Sequence, residues 1–208
     1  MISTSCIAYT CKLLDNENKF MTVGVAAIDR VQMSEVFSDT NFNECWTCRR
    51  DKELMVIDND SSHKSEFSNE DSDRNRALTI CNEDHTIIVL LSIDNALVSG
   101  RHGGIADCAL FDEAKFRLVE FKTNALGNSE QSIRDTFDKA LSQLKETLTF
   151  FSEKYNDQEI KFDKVFHITC HVVTSNSFPK SKAVKQEYQL SFAEDTGFEL
   201  GFSDKIYW

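Results

Sequence analysis

Apolar residues recur at Ile133, Phe137, Leu141, Leu144, Leu148 and Phe151, in steps of three and four, between segments that read as strands. That spacing predicts one buried face of a long helix over about 129–155. Asn128, with Gln131 three places on, supplies an N-cap and capping box. Ahead of the helix, "TIIVLLSID" (86–94) is rich in β-branched residues and reads as a buried strand. "GIADCALF" (104–111) and "FRLVEFKT" (116–123) are two more, joined by the polar "DEAK". After the helix comes "KVFHITCHVVTS" (164–175), again a buried strand. Strands on either side of a crossover helix can pair in parallel. The order strand, strand, strand, helix, strand therefore predicts an α/β fold, a mixed central β-sheet with flanking helices.

The ends add less. "SCIAYTCKLL" and "KFMTVGVAAI" flank "DNEN" and predict an N-terminal hairpin, and "EYQLSFAEDTGFELGFSDKIYW" predicts a C-terminal one. The polar stretch 58–73, six acidic residues against one lysine, reads as an exposed loop. With 208 residues and 16 phenylalanines, the chain is expected to form a single domain over 1–208.

Composition narrows the function. No apolar run approaches the ~18 residues of a membrane span, and the N-terminus lacks a secretory pattern. Seven cysteines then read as reduced thiols, several buried, in a cytoplasmic protein. The net charge of −11 argues against a free-standing, non-specific DNA binder, which needs a basic face.

Three charges stand out inside the central hairpin: Asp107, Glu120 and Lys122. Whether "DEAK" or only Glu113 and Ala114 forms the loop, the register puts Asp107 opposite Glu120. Side chains on a strand alternate, so Lys122 shares their face. The neighbours Val119 and Phe121, and Ala106 and Cys108, are apolar, as in a central strand. Two carboxylates about 5 Å apart repel each other and call for a cation. Magnesium suits them, since it needs only one or two carboxylates plus a substrate phosphate.

Asp107, a twelve-residue gap, Glu120-Phe121-Lys122 and the following helix resemble the PD-(D/E)xK nuclease superfamily, whose fold is restriction-endonuclease-like. The similarity spans about 78–175. "ALSQLKETLTFF" resembles the glutamine-bearing helix of several branches, which makes Gln143 the site glutamine and Leu144 its inward neighbour. "SIDNALVSG" (92–100) resembles sequences of uncharacterised bacterial members. The likeness implies Mg²⁺, or Mn²⁺ in its place, held by Asp107, Glu120 and the Phe121 carbonyl. It implies Lys122 as the residue that orients water, and hydrolysis of nucleic acid, DNA before RNA, in a bacterial defence or mobile-element setting. Thr147 stands where those branches often carry a tyrosine, and Ala106 where a proline is frequent. For the acidic residue that a preceding helix often supplies, Glu35 and Asp94 are the nearest counterparts. The alternative is a non-catalytic subunit of the same fold that binds a partner protein or a second copy of itself; the charge of −11 and the acidic 58–73 stretch point that way.

Other signals carry less. Cys45-x2-Cys48 with Cys81 and His85, or with His63, would make an irregular zinc site, and ordinary thiols are the expectation. His167 and His171 alternate with apolar residues as core or sheet-surface histidines. Arg101 and His102 are loop residues within reach of phosphate. Phe137, Phe150 and Phe151 read as core, and Lys139 and Lys145 as a solvated helix face.

Overall fold

The computed structural model describes residues 9–14, 20–25, 33–37, 42–98, 104–125, 127, 129–179 and 182–208. Arg101, His102, Gly103 and Asn128 lie outside them, as does the side chain of Glu35.

β1 (Tyr9–Leu14) and β2 (Phe20–Val25) form the expected N-terminal hairpin, with Tyr9 opposite Val25 and Leu14 opposite Phe20. A short helix, α1 (Met33–Val36), and a 3-10 turn (Phe42–Glu44) lead into β3 (Trp46–Arg49). The next strands are β4 (Glu53–Asn59), β5 (Lys64–Ser68), β6 (Leu78–Cys81) and β7 (Ile88–Ser92). β8 (Cys108–Phe111) and β9 (Lys115–Lys122) precede the long helix α2 (Glu130–Asn156). The chain closes with α3 (Phe162–Val165), β10 (His167–Thr174), α4 (Lys182–Thr196), β11 (Glu199–Gly201) and β12 (Lys205–Tyr207).

These strands build two mixed sheets. The larger runs β11-β10-β9-β8-β7-β3 and the smaller β12-β6-β4-β5. β9, β10 and β11 are mutually parallel, while β8, β7 and β3 alternate antiparallel. The parallel steps are those bridged by α2 and α4, as crossover connections require. One face of the large sheet carries Ala109, Phe111, Phe116, Leu118, Cys170 and Val172, packed with the α2 stripe and Phe192 of α4. The opposite face, with Leu110, Val119, Phe121 and Val173, packs on Leu54, Val56, Leu78, Ile80 and Ile206 of the small sheet. β9 is thus covered on both sides, which is why its sequence is apolar on both faces.

The expected stripe on α2 is buried in full, from Ile133 to Phe151. Phe116 is the hinge of its packing, with Phe151, Phe162 and Phe166 rings at 5.1, 5.0 and 5.4 Å. Such tilted and edge-on contacts add to the gain from burial. The N-cap is Ser129, whose hydroxyl accepts from the Ser132 amide at 3.1 Å.

Two expectations are overturned. The stretch 58–73 is no exposed loop: it holds the end of β4, a turn, β5 and a 3-10 helix, with Ser65, Ser68 and Asp73 buried. Polar bonding, rather than apolar burial, orders it. Ser68 donates to Asp73 at 2.6 Å, and Arg76 clasps the same carboxylate at 2.9 and 3.1 Å. The C-terminal hairpin is absent too. Residues 182–196 are helical, and β11 and β12 join different sheets, each in parallel. Tyr188, Leu190 and Phe192 alternate like a strand, but Leu190 is 67% exposed while Phe192 is fully buried.

Candidate functional site

The hairpin β8–β9 delivers the charged residues. Phe111 faces Phe116 and Cys108 faces Val119, so continuing that register by one residue sets Asp107 against Glu120. The turn is held by Asp112, whose Oδ1 accepts from the amides of Ala114 and Lys115 at 2.8 and 2.7 Å. That Asx turn is the physical origin of the symmetric register.

Asp107 sits where the ladder ends. Its Oδ2 accepts from the Phe121 amide at 2.5 Å, and its carbonyl accepts from the Ile93 amide at 2.9 Å. Glu120 is buried, only 1% exposed. Lys122 donates to Glu120 Oε1 and, at 2.7 Å, to Gln143 Oε1 of α2. Gln143 completes the cluster by donating through Nε2 to the Ile105 carbonyl at 3.2 Å. The four residues singled out in the sequence therefore occupy one place, fed by two strands and one helix.

The electrostatics of this cluster are unbalanced. Burial pushes the Asp107 carboxyl up to about 7, the Phe121 amide and Lys122 hold it down, and Asp58 and Asp94 raise it further. Burial, then Asp107, hold Glu120 well above the ordinary carboxylate range, against the pull of Lys122. Glu120 Oε2 is buried with no hydrogen-bond partner. One ammonium thus faces two desolvated carboxyl groups, which burial holds toward their protonated forms unless further positive charge arrives.

Asp107 opens onto a cleft of about 200 Å³. Asp58 near the end of β4, Asp60 of the β4–β5 turn and Asp94 line it with Asp107, together with His63 and Lys64. Burial raises the Asp58 carboxyl, with Asp60 and Asp94 adding repulsion. Asp58 and Asp60 escaped the sequence reading because they were assigned to an exposed loop. The buried run Leu54-Met55-Val56-Ile57 just before them is the signal of a strand that ends in the cleft.

The unpartnered Glu120 oxygen and the two carboxyl groups raised by burial are hard oxygen donors of the kind a divalent cation takes. Among the described residues, no three or more His, Cys, Asp or Glu side chains are arranged to hold a metal unaided. A cation here would need the two carboxylates together with substrate or solvent oxygens, as magnesium ordinarily does.

The remaining candidates separate. Cys45, Cys81, Cys108 and Cys170 are not in a disulfide, whereas Cys48 is disulfide-bonded, contrary to the expectation of reduced thiols. His85 is engaged through Nδ1 with the Arg50 carbonyl at 3.1 Å. His167 is exposed and His171 buried; burial lowers the His171 ring to about 4, with Arg117 adding to the effect. Lys145 pairs with Asp195 at 2.6 Å and Lys139 is solvated. No helix among the described residues is long and apolar enough to cross a membrane. Comparison of the chain with protein-family models, curated proteins and solved structures finds no match.

Proposed function

We propose that the protein is a metal-dependent phosphodiesterase acting on nucleic acid, DNA in preference to RNA, with β7, β8, β9, α2 and β10 as a restriction-endonuclease-like core. The observation that carries this reading is the convergence of Asp107, Glu120, Lys122 and Gln143, with one Glu120 oxygen buried and unpartnered. Asp107, Glu120 and the Phe121 carbonyl would hold Mg²⁺, or Mn²⁺ in its place. The ion would supply Lewis acidity, lowering the pKa of a bound water and offsetting charge on the phosphate.

The chain's own groups do the rest. Lys122, fixed by Gln143 and Glu120, directs an N–H toward the attacking water or the phosphoryl oxygen, where negative charge grows. The water oxygen bonds to phosphorus and gives up a proton to solvent as a phosphodiester P–O bond breaks, and the departing oxygen takes up a proton from solvent. Gln143 keeps the Lys122 ammonium from collapsing wholly onto Glu120. The carboxylates of the cleft repel a polyanion at long range, so substrate and cation are expected to enter together.

The test is cleavage by purified protein, with Mg²⁺ or Mn²⁺, of plasmid, linear duplex, single-stranded DNA and RNA. Glu120→Ala and Lys122→Ala are expected to abolish cleavage while the protein stays folded. Cleavage that survives both substitutions would place the chemistry elsewhere, and no cleavage of any substrate would remove the hydrolase reading.

A further inference from the structure

Residues 104–107 carry the chain into the site without forming a strand, yet Ile105 and Ala106 are 2% and 0% exposed. Buried backbone groups away from a ladder need other partners. Helix α2 supplies them. The Ala106 amide donates to Thr147 Oγ1 at 2.7 Å, and Gln143 Nε2 donates to the Ile105 carbonyl at 3.2 Å. The two helix residues lie one turn apart on the same face.

The Thr147 hydroxyl is fully committed. It donates its single proton to the Gln143 carbonyl at 2.7 Å, which leaves its lone pairs for the Ala106 amide. Bonds from a threonine hydroxyl to the carbonyl four residues back are ordinary in this protein; Thr136, Thr149 and Thr196 make them too. Thr147 differs in being completely buried and in receiving an amide from a residue 41 positions away along the chain. That amide belongs to Ala106, the residue immediately before Asp107, in the same peptide unit as the Ile105 carbonyl held by Gln143.

We propose that Thr147 is a positioning residue: by holding the Ala106 amide it fixes the Asp107 carboxylate at the Phe121 amide and facing Glu120. Among the described residues the carboxylate has no other hydrogen bond that would set its place, and Gly104, two residues before Ala106, is a point of conformational freedom at φ +81°. The consequence for turnover rests on the phosphodiesterase reading; the positioning itself does not.

The experiment uses the full chain without metal or substrate. Amide exchange at Phe121 reports the Asp107 carboxylate, because that carboxylate is its acceptor. In Thr147→Val, which keeps the volume and removes the hydroxyl, Phe121 is expected to exchange at least about tenfold faster. Thr147→Ser is expected to restore the wild-type rate. If Thr147→Val does not fold, Thr147→Ala is measured in its place. In the Mg²⁺-dependent reaction, kcat should fall by about 10²-fold, with KM within about twofold and rescue by serine. Unchanged exchange at Phe121 in the hydroxyl-free variant, or a serine variant as defective as the valine one, would overturn the assignment. A wild-type protein that cleaves nothing overturns only the phosphodiesterase reading, since the exchange at Phe121 still decides the positioning.

Discussion

Replacing Asp107 by asparagine should make the protein more stable while disabling its site. The Asp107 carboxyl is raised from 3.8 to about 7 by burial, a rise of about 3 units at 1.36 kcal/mol each, or about 4 kcal/mol. The sign is set by proton binding. Between about pH 4 and 7 the unfolded chain has lost this proton and the folded chain keeps it, so stability declines as pH rises through that window. Above about pH 7 both states are ionised, and the cost stays at its full value. Asparagine carries no charge, and its amide oxygen can still accept from the Phe121 amide. The expected gain is therefore up to about 4 kcal/mol at pH 8, shrinking toward zero near pH 4. For a chain of this size each kcal/mol moves Tm by about 2–4 °C. Thermal melts of both proteins in a chelating buffer from pH 4 to 8 measure it. Millimolar Mg²⁺ should narrow the gap by stabilising the wild type alone. A variant with equal or lower Tm at pH 8, or a gap that does not change with pH, would refute the assignment of a desolvated carboxyl at this position.

Four further outcomes follow from the same structure. Mn²⁺ affinity, measured by calorimetry, should weaken as pH falls below about 7, because protons on the raised Asp107 compete with the metal. Gly104→Ala should cost about 1–3 kcal/mol in chemical denaturation, since φ is +81° and the new methyl would lie 2.9 Å from Gln143 Cγ. The His171 ring should stay neutral down to about pH 4 by NMR titration, because burial lowers it from 6.5. Its contribution is then complete above about pH 6.5, and about 3 kcal/mol is lost as pH falls to 4. Ser129→Ala should cost about 1 kcal/mol by removing the acceptor of the Ser132 amide, with no change at the Asp107 site.

Legibility in the sequence tracked local periodicity. The helix stripe from Ile133 to Phe151 and the register of the β8–β9 hairpin were readable because spacing and turn chemistry act within a few residues. β5 was not, because its order comes from Asp73, Arg76 and its neighbour strand rather than from its own composition. The C-terminal helix was misread for a related reason. Tyr188-Leu190-Phe192 alternates as a strand would, and only packing on α2 decides that Phe192 is buried and Leu190 is not.

The candidate site divides along the same line. The sequence by itself determined that Glu120 and Lys122 share one face, through the pleat, and that an even-length loop adds Asp107 to it; the Asp112 turn settles that register. It also suggested Gln143, through the resemblance of its helix to the glutamine-bearing helix of the nuclease superfamily. Only the tertiary structure decided that Asp58, Asp60 and Asp94 border the same cleft, and that Thr147 holds the amide of Ala106, the residue before Asp107. Those partners lie 13 to 49 residues from Asp107 along the chain. Contacts between such distant residues depend on how two sheets and a helix close on one another, and no local pattern records that.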